Sequence, residues 1–87
     1  MQFHDIRVSR ELFFSIGQEL DSGKYYVSFP VSNGLIDYEE FYEIDREAFD
    51  RYEQDMSVAQ PFVERCRRHE MDHLLLVPPQ ANRGTSV

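Results

Sequence analysis

Hydrophobic and polar residues alternate along three stretches of the chain, a pattern typical of β-strands with one buried face. The stretches are Gln2–Val8, Lys24–Ser32 and Leu35–Ile44. Asn33 and Gly34 separate the last two stretches and supply the positive φ angles that a tight hairpin turn needs. The hairpin is predicted to bury one row of side chains from each strand: Tyr25, Val27, Phe29 and Val31 from the first, and Ile36, Tyr38, Tyr42 and Ile44 from the second.

Hydrophobic residues spaced three or four apart predict three helices. The first is predicted to run from Ser9, an N-cap, to Gly23, a C-terminal cap. The second follows Asp45, another good N-cap, and the third runs from Ser57 to about Glu70. The apolar positions of the first two helices are Leu12, Phe13, Ile16 and Leu20, and Phe49, Tyr52 and Met56.

A short apolar segment, His73–Val77, predicts a last strand before Pro78 and Pro79. The resulting order is β-α-β-β-α-α-β, the ferredoxin-like split βαβ order, an α+β fold with helices on one face of an antiparallel sheet. A hairpin-centred α+β fold without the fourth strand is the alternative. We expect one domain over residues 1–79 and a flexible C-terminal tail over residues 80–87.

The composition excludes several classes of protein. At 87 residues the chain forms one small domain, and a hydrophobic content of 41% argues against disorder. No apolar segment approaches the roughly 20 residues of a membrane span, and the charged N-terminal segment does not look like a signal peptide. The single cysteine, Cys66, cannot form an intrachain disulfide. A cytoplasmic location without membrane contact is therefore expected.

The negative charge is concentrated between Asp37 and Met56. Nine acidic residues in this segment face only Arg46 and Arg51, so the segment accounts for the whole net charge of −7. Such a surface repels nucleic acid and anionic lipid, and it attracts basic partners at a rate that salt reduces. The plain alternative is a solvated face that keeps a small protein in solution.

One segment, His69–His73, matches the zinc-binding motif H-E-x-x-H. On a continuous helix its two histidines would share one face and could bind zinc, while Glu70 acted as a general base. Cys66 and His4 are further candidate ligands. If His73 instead begins a strand, the histidines leave the common face and the site is lost.

The stretch Arg68–Leu75, RHEMDHLL, resembles the zinc-binding helix of the peptide deformylases, whose motif reads Q-H-E-x-D-H-L. The resemblance implies that His69 and His73 hold a metal and that Glu70 is the acid–base residue. Arg68, however, stands where the family has glutamine, and the family segments G-x-G-L-A-x-x-Q and E-G-C-L-S are absent. We therefore predict no catalytic residue, no metal and no cofactor, and we keep a small zinc-dependent hydrolase as the alternative function.

The outward row of the third predicted strand is mostly acidic, and aromatic residues lie among the acids. Tyrosine beside charged residues is typical of interface hot spots and of steered association. We expect a non-catalytic protein-binding module. Its predicted partner-binding residues are Asp37, Tyr38, Glu39, Glu40, Phe41, Tyr42, Glu43, Glu47 and Asp50.

As a small, acidic, single-domain chain, the protein resembles bacterial immunity proteins, above all those of contact-dependent growth inhibition systems. The resemblance implies tight binding to a cognate toxin domain, often a nuclease with a cationic active site. Acids such as Asp37, Glu39, Glu40 and Glu43 would then take the place of nucleic-acid phosphates. The expected partner is a protein toxin domain, and neither nucleic acid nor a membrane is expected to bind. A third hypothesis is a structural or regulatory subunit that self-associates through the hairpin edge.

Overall fold

A computed structural model describes residues 1–87 as an antiparallel sheet with two short helices packed on one face. The first four strands lie side by side in chain order, as a meander. They are β1 (Phe3–Ser9), β2 (Phe14–Glu19), β3 (Tyr25–Ser32) and β4 (Asp37–Ile44). The other elements are helix α1 (Arg46–Gln54), a 3-10 turn (Met56–Ala59), helix α2 (Gln60–Arg67), a second 3-10 turn (Asp72–Leu74) and strand β5 (Thr85–Ser86).

The predicted ferredoxin-like split βαβ order is wrong, because no helix separates the first two strands. The segment predicted as a helix forms a tight turn and then β2, which pairs with β1. Phe14 and Ile16 alternate along β2 and bury their side chains, while Phe13 and Leu20, which a helix would bury, are exposed. Gly17 also disfavours a helix, since glycine costs about 1 kcal/mol inside one.

Several elements of the structure agree with the predictions from the sequence. The two strands of the predicted hairpin are confirmed as β3 and β4, and a strand is confirmed at the N-terminus. Asp45 caps α1 as predicted, since its Oδ1 accepts from the Ala48 amide at 2.8 Å. Ile36 was predicted in the core and is instead exposed, as are the alternating β1 residues His4, Ile6 and Val8.

The C-terminal part of the chain differs from the prediction. Helix α2 ends at Arg67, and His73–Val77 forms no strand, since only Leu75 makes an isolated bridge to β4. Within the predicted tail, residues 80–82 are exposed, and the last three residues contact the sheet. Thr85–Ser86 pairs with β3, and the Val87 amide donates to the Pro30 carbonyl at 3.1 Å.

The main core lies between the helices and the sheet. Side chains that point inward from β2, β3 and β4 meet the buried faces of α1 and α2. The longest helix, α1, has nine residues, so no helix here can cross a lipid bilayer. The largest core side chains are Phe14, Ile16, Phe29, Tyr42, Ile44, Phe49, Tyr52 and Met56.

The opposite face of the sheet, here called the outer face, carries a second aromatic cluster. Phe3 stacks on Phe41 with ring centroids 3.7 Å apart, although β1 and β4 are the two ends of the meander. Tyr26 lies fully buried edge-on to both rings. The sheet must curl for these rings to meet, and a bulge between Asp5 and Arg7 adds local twist. The outer face comprises Phe3, Asp5, Val8, Ser15, Gly17, Tyr26, Ser28, Pro30, Asp37, Glu39, Phe41 and Glu43.

Glu19 fixes the start of β1 over this face. Its buried carboxylate accepts hydrogen bonds from the backbone amides of Gln2 (2.8 Å), Asp21 (3.0 Å) and Ser22 (2.9 Å). These donors lower the pKa of Glu19 to about 2. Because the Gln2 amide is held in this way, Phe3 is directed toward Phe41.

Gly17 leaves the space that the aromatic cluster needs. A Cβ atom at this position would lie 2.5 Å from the Tyr26 hydroxyl and closer still to the His4 carbonyl oxygen. Only glycine therefore lets β1 and the Tyr26 ring approach β2 this closely.

Gly17→Ala is expected to destabilise the protein by about 2–3 kcal/mol, because either the Tyr26 ring or β1 must move. Urea unfolding followed by tyrosine fluorescence measures the change. Gly34→Ala is the matched control: no atom lies within 4 Å of its Cβ, but its φ is +87°. That backbone angle alone is expected to cost about 1 kcal/mol. Equal losses for the two variants would contradict the close packing at Gly17.

Candidate functional site

The nine residues predicted to bind a partner do not form one surface. Alternation along β4 directs three of them to the helix side of the sheet and four to the outer face. The inward residues are Tyr38, Glu40 and Tyr42, and the outward ones are Asp37, Glu39, Phe41 and Glu43. Glu47 and Asp50 are exposed on α1, a separate element. The nine residues therefore lie on separate parts of the molecule, and their role in partner binding stays a prediction.

Glu40 is unavailable to a partner because it is buried in a charged network. Arg83 Nε donates to its Oε2 at 2.8 Å, and the Tyr42 hydroxyl donates to its Oε1 at 2.9 Å. The same guanidinium also binds both oxygens of Asp72, at 2.7 and 3.0 Å. These hydrogen bonds hold the pKa of Asp72 below its usual value, and burial raises the pKa of the Tyr42 hydroxyl. The network fastens the C-terminal segment to β4.

Arg83→Met is expected to destabilise the protein by about 3 kcal/mol or more, because it leaves the Glu40 carboxylate buried without a cation. Arg65→Met is the matched control, since its ion pair with Glu70 is exposed and is worth less than about 1 kcal/mol. Urea unfolding at neutral pH measures both changes. Adding Glu40→Gln to Arg83→Met should recover part of the loss. A loss no larger than in the control would contradict the structural role of the network.

Three carboxylates on the outer face, those of Asp5, Asp37 and Glu39, have no cation within 4 Å. Asp5 accepts a 2.7 Å hydrogen bond from the Tyr26 hydroxyl, and Glu39 accepts a long one, 3.4 Å, from Ser28. No salt bridge of the structure includes Asp5, Asp37 or Glu39. Partial burial and the nearby charge of Asp5 raise the pKa of Glu39. The outer face thus holds like charges that its own residues do not neutralise.

Asp5 is the functional candidate that the sequence reasoning missed. It lies in β1, far from the acidic segment between residues 37 and 56, and only the strand pairing brings it to the same face as Glu39. Alternation in β1 would set Asp5 apart from Val8, but the bulge between Asp5 and Arg7 puts both residues on the outer face, so the sequence offered no reliable signal.

Two stacked aromatic rings on the same face as these acids form what is here called the aromatic floor. The rings of Phe3 and Phe41 are half-buried there, and the small residues Ser15 and Ser28 beside Phe41 are buried. Carboxylates next to aromatic rings are the groups that bind a lysine or arginine side chain, by ion pairing and by cation–π contact. The chemistry offered here is therefore recognition of a cation.

The other predicted acids offer less. Glu43 lies 3.6 Å from Lys24, and Asp50 lies 3.9 Å from Arg46, both as exposed pairs. Exposed pairs of this kind contribute little, and they already have a partner within the chain. Glu47 is exposed in the first turn of α1, outside the outer face.

The zinc site of the hydrolase alternative requires a continuous helix over His69–His73, and the structure has no such helix there. Helix α2 ends at Arg67, and His69 has a φ of 62°, which is outside the helical range. His69 and His73 therefore do not lie one turn apart on a helix. No group of three or more His, Cys, Asp or Glu side chains is arranged to hold a metal ion.

The other residues of that alternative are also engaged elsewhere. Glu70 accepts from Arg65 at 3.4 Å and from Arg68 at 2.7 Å, and these cations lower its pKa. A general base works best with a pKa near the operating pH, so this shift is in the wrong direction. Cys66 is buried in the core, and burial raises the pKa of its thiol to about 12.

The hairpin edge predicted for self-association contains Pro30 and belongs to β3, which is not an edge of the sheet because it pairs with both β2 and β4. The other strand of the hairpin, β4, is partly covered on its free side. Leu75 bridges to Tyr42 on the free side of β4, and the Leu76 amide donates to the Phe41 carbonyl at 2.9 Å. These contacts occupy backbone groups that a second chain would need for edge pairing.

Comparison of the chain with protein-family models, with curated proteins and with solved structures finds no match. The resemblances to immunity proteins and to peptide deformylases therefore stay predictions from the sequence.

Proposed function

We propose that the protein is a non-catalytic binding module whose outer face receives a basic surface of another protein. The observation that carries this proposal is the pair of unneutralised carboxylates, Asp5 and Glu39, beside the aromatic floor. A lysine or arginine from a partner would relieve their mutual repulsion and gain charge-assisted hydrogen bonds.

Arginine suits the site better than lysine for a geometric reason. Its planar guanidinium can bridge carboxylates with a fork of donors while it stacks on an aromatic ring. The rings of Phe3 and Phe41 lie on the same face as both acids. The net charge of −7 would also speed the encounter with a basic partner.

Within this class, the specific function proposed is that of an immunity protein that neutralises a cognate toxin domain. Its support is the resemblance in size and charge, together with an acidic face that matches a cationic nuclease site. The outer face replaces the larger predicted set in this proposal, because Glu40 and Tyr42 are buried in the network with Arg83.

The test is affinity capture from the encoding strain, with wild-type protein and a double variant, Asp5→Asn with Glu39→Gln. Both substitutions keep the shape of the side chain and remove like charges, so the fold should be retained. A basic protein is expected to bind the wild type at least about 30-fold more tightly than the double variant, with the difference shrinking in high salt.

Glu47→Gln with Asp50→Asn is the matched control, since it removes two exposed charges of α1 instead. Purified partner and isothermal titration calorimetry then give the affinities. The proposal fails if no captured protein depends on Asp5 and Glu39, if the dependent protein is acidic, or if the control variant loses as much affinity.

A further inference from the structure

Phe13, in the turn between β1 and β2, combines an unusual backbone with an exposed ring. Its φ of 61° lies in the left-handed region, where a bulky residue is an outlier, and the side chain is 57% exposed. Burial does not explain this conformation, because the ring points away from the main core. Strain that persists without a packing benefit is grounds for a functional hypothesis.

Hydrogen bonds from two directions hold the turn in this conformation. Within the turn, the Phe13 amide donates to the Ser9 carbonyl at 3.0 Å, and the Leu12 amide donates to Ser9 Oγ at 3.0 Å. From α2, Arg67 Nη2 donates to the carbonyls of Leu12 and Phe13, at 3.1 Å each. A residue more than fifty positions away thus fixes the loop that presents Phe13.

Arg67 is itself held firmly. Its guanidinium lies 5.4 Å from the centroid of the Phe29 ring in the core, and Nη1 donates to Glu64 at 2.6 Å. The backbone that presents the exposed Phe13 ring is therefore preorganised by contacts that reach into the main core. Preorganisation reduces the entropy lost when such a residue binds a partner.

A groove of about 380 Å³ opens beside the Phe13 ring. Val8, Phe13 and Pro30 form its apolar walls, Arg10 is the one charged residue in its lining, and the buried Ser15 lies at its base. Three of these residues, Val8, Ser15 and Pro30, belong to the outer face. The groove is therefore continuous with the surface that carries the acids.

The position of Pro30 relates the groove to the charged site. Pro30 lies directly opposite Glu39 in the pairing of β3 with β4. An apolar side chain seated in the groove would thus have its chain neighbours close to an unneutralised carboxylate. A neighbour on the Pro30 side of the groove would be favoured if it were basic.

We propose that the groove beside Phe13 is an anchor site for one aliphatic or aromatic side chain that is flanked by lysine or arginine in the partner protein. The inference rests on the proposed function and adds the apolar half of the same interface. A large apolar anchor in a preformed pocket, ringed by polar contacts, is the usual arrangement of a binding hot spot.

Three capped tripeptides serve as probes: Lys-Leu-Arg, Lys-Gly-Arg and Glu-Leu-Glu. Each is titrated into the ¹⁵N-labelled full chain, and amide shifts are followed in the groove (Val8, Phe13, Ser15) and at the acids (Asp5, Glu39). Lys-Leu-Arg is expected to shift both sets, Lys-Gly-Arg only the acids, and Glu-Leu-Glu neither set.

Phe13→Gly separates binding from structure, because glycine adopts the left-handed region without strain. The variant is expected to keep or raise the thermal midpoint of the wild type while its affinity for Lys-Leu-Arg falls by about tenfold. Leu35→Ala is the matched control, since it removes another exposed apolar side chain at the β3–β4 turn and should change neither quantity.

The outcomes separate the two claims. Shifts at Asp5 and Glu39 without groove shifts would overturn the anchor site and leave the proposed function standing. No shift at the acids with either basic peptide would overturn the proposed function. A lower thermal midpoint in Phe13→Gly, groove binding of Glu-Leu-Glu, or concentration-dependent groove shifts without peptide would each overturn the anchor site in this form.

Discussion

The stacking of Phe3 on Phe41 is the contact on which the outer face depends. Phe3 lies on β1 and Phe41 on β4, the two edge strands of the meander, so their ring centroids can lie 3.7 Å apart only because the sheet curls. Gly17 permits that curl, because any larger residue would collide with β1 and with Tyr26. The curl in turn buries the ring of Tyr26, whose hydroxyl holds Asp5 on the face that also carries the β4 acids. The aromatic contact between Phe3 and Phe41 thereby brings the carboxylates of Asp5 and Glu39 to one face of the sheet.

Alternation along β4 gives neighbouring acids opposite roles. Glu40 points inward, where Arg83 neutralises it and ties the C-terminal segment to the sheet. Glu39 points outward, where no cation of the chain approaches it. The number of acidic residues in the sequence therefore overstates the negative charge that is exposed and unpaired on the surface. The two carboxylates proposed to bind a cation are accordingly those of Asp5 and Glu39, and not all the acids between residues 37 and 56.

Turn and cap signals in the sequence were reliable, whereas the helical spacing of apolar residues and the long-range contacts were not. The β3–β4 hairpin and the Asp45 cap were predictable because each depends on residues a few positions apart. The first helix was predicted wrongly because apolar residues at positions 12, 13, 16 and 20 fit a helical spacing, whereas the pairing of β2 with two strands favours alternation. The Glu40–Arg83 pair joins residues 43 positions apart, and Asp5 reaches the acidic face only through the sheet. Neither relation has a signature in a single sequence.

The most direct test of this account is the pKa of the Glu39 side chain, measured by NMR titration of its carboxyl carbon. A raised pKa means that ionising Glu39 destabilises the free protein, so this part of the stability is present at low pH and is lost as pH rises through the folded-state value. The account predicts a pKa above the ordinary glutamate value, and a lower one in Asp5→Asn, which removes the repelling charge. A pKa at or below the ordinary value, unchanged in Asp5→Asn, would contradict the claim that the outer face carries unneutralised charge.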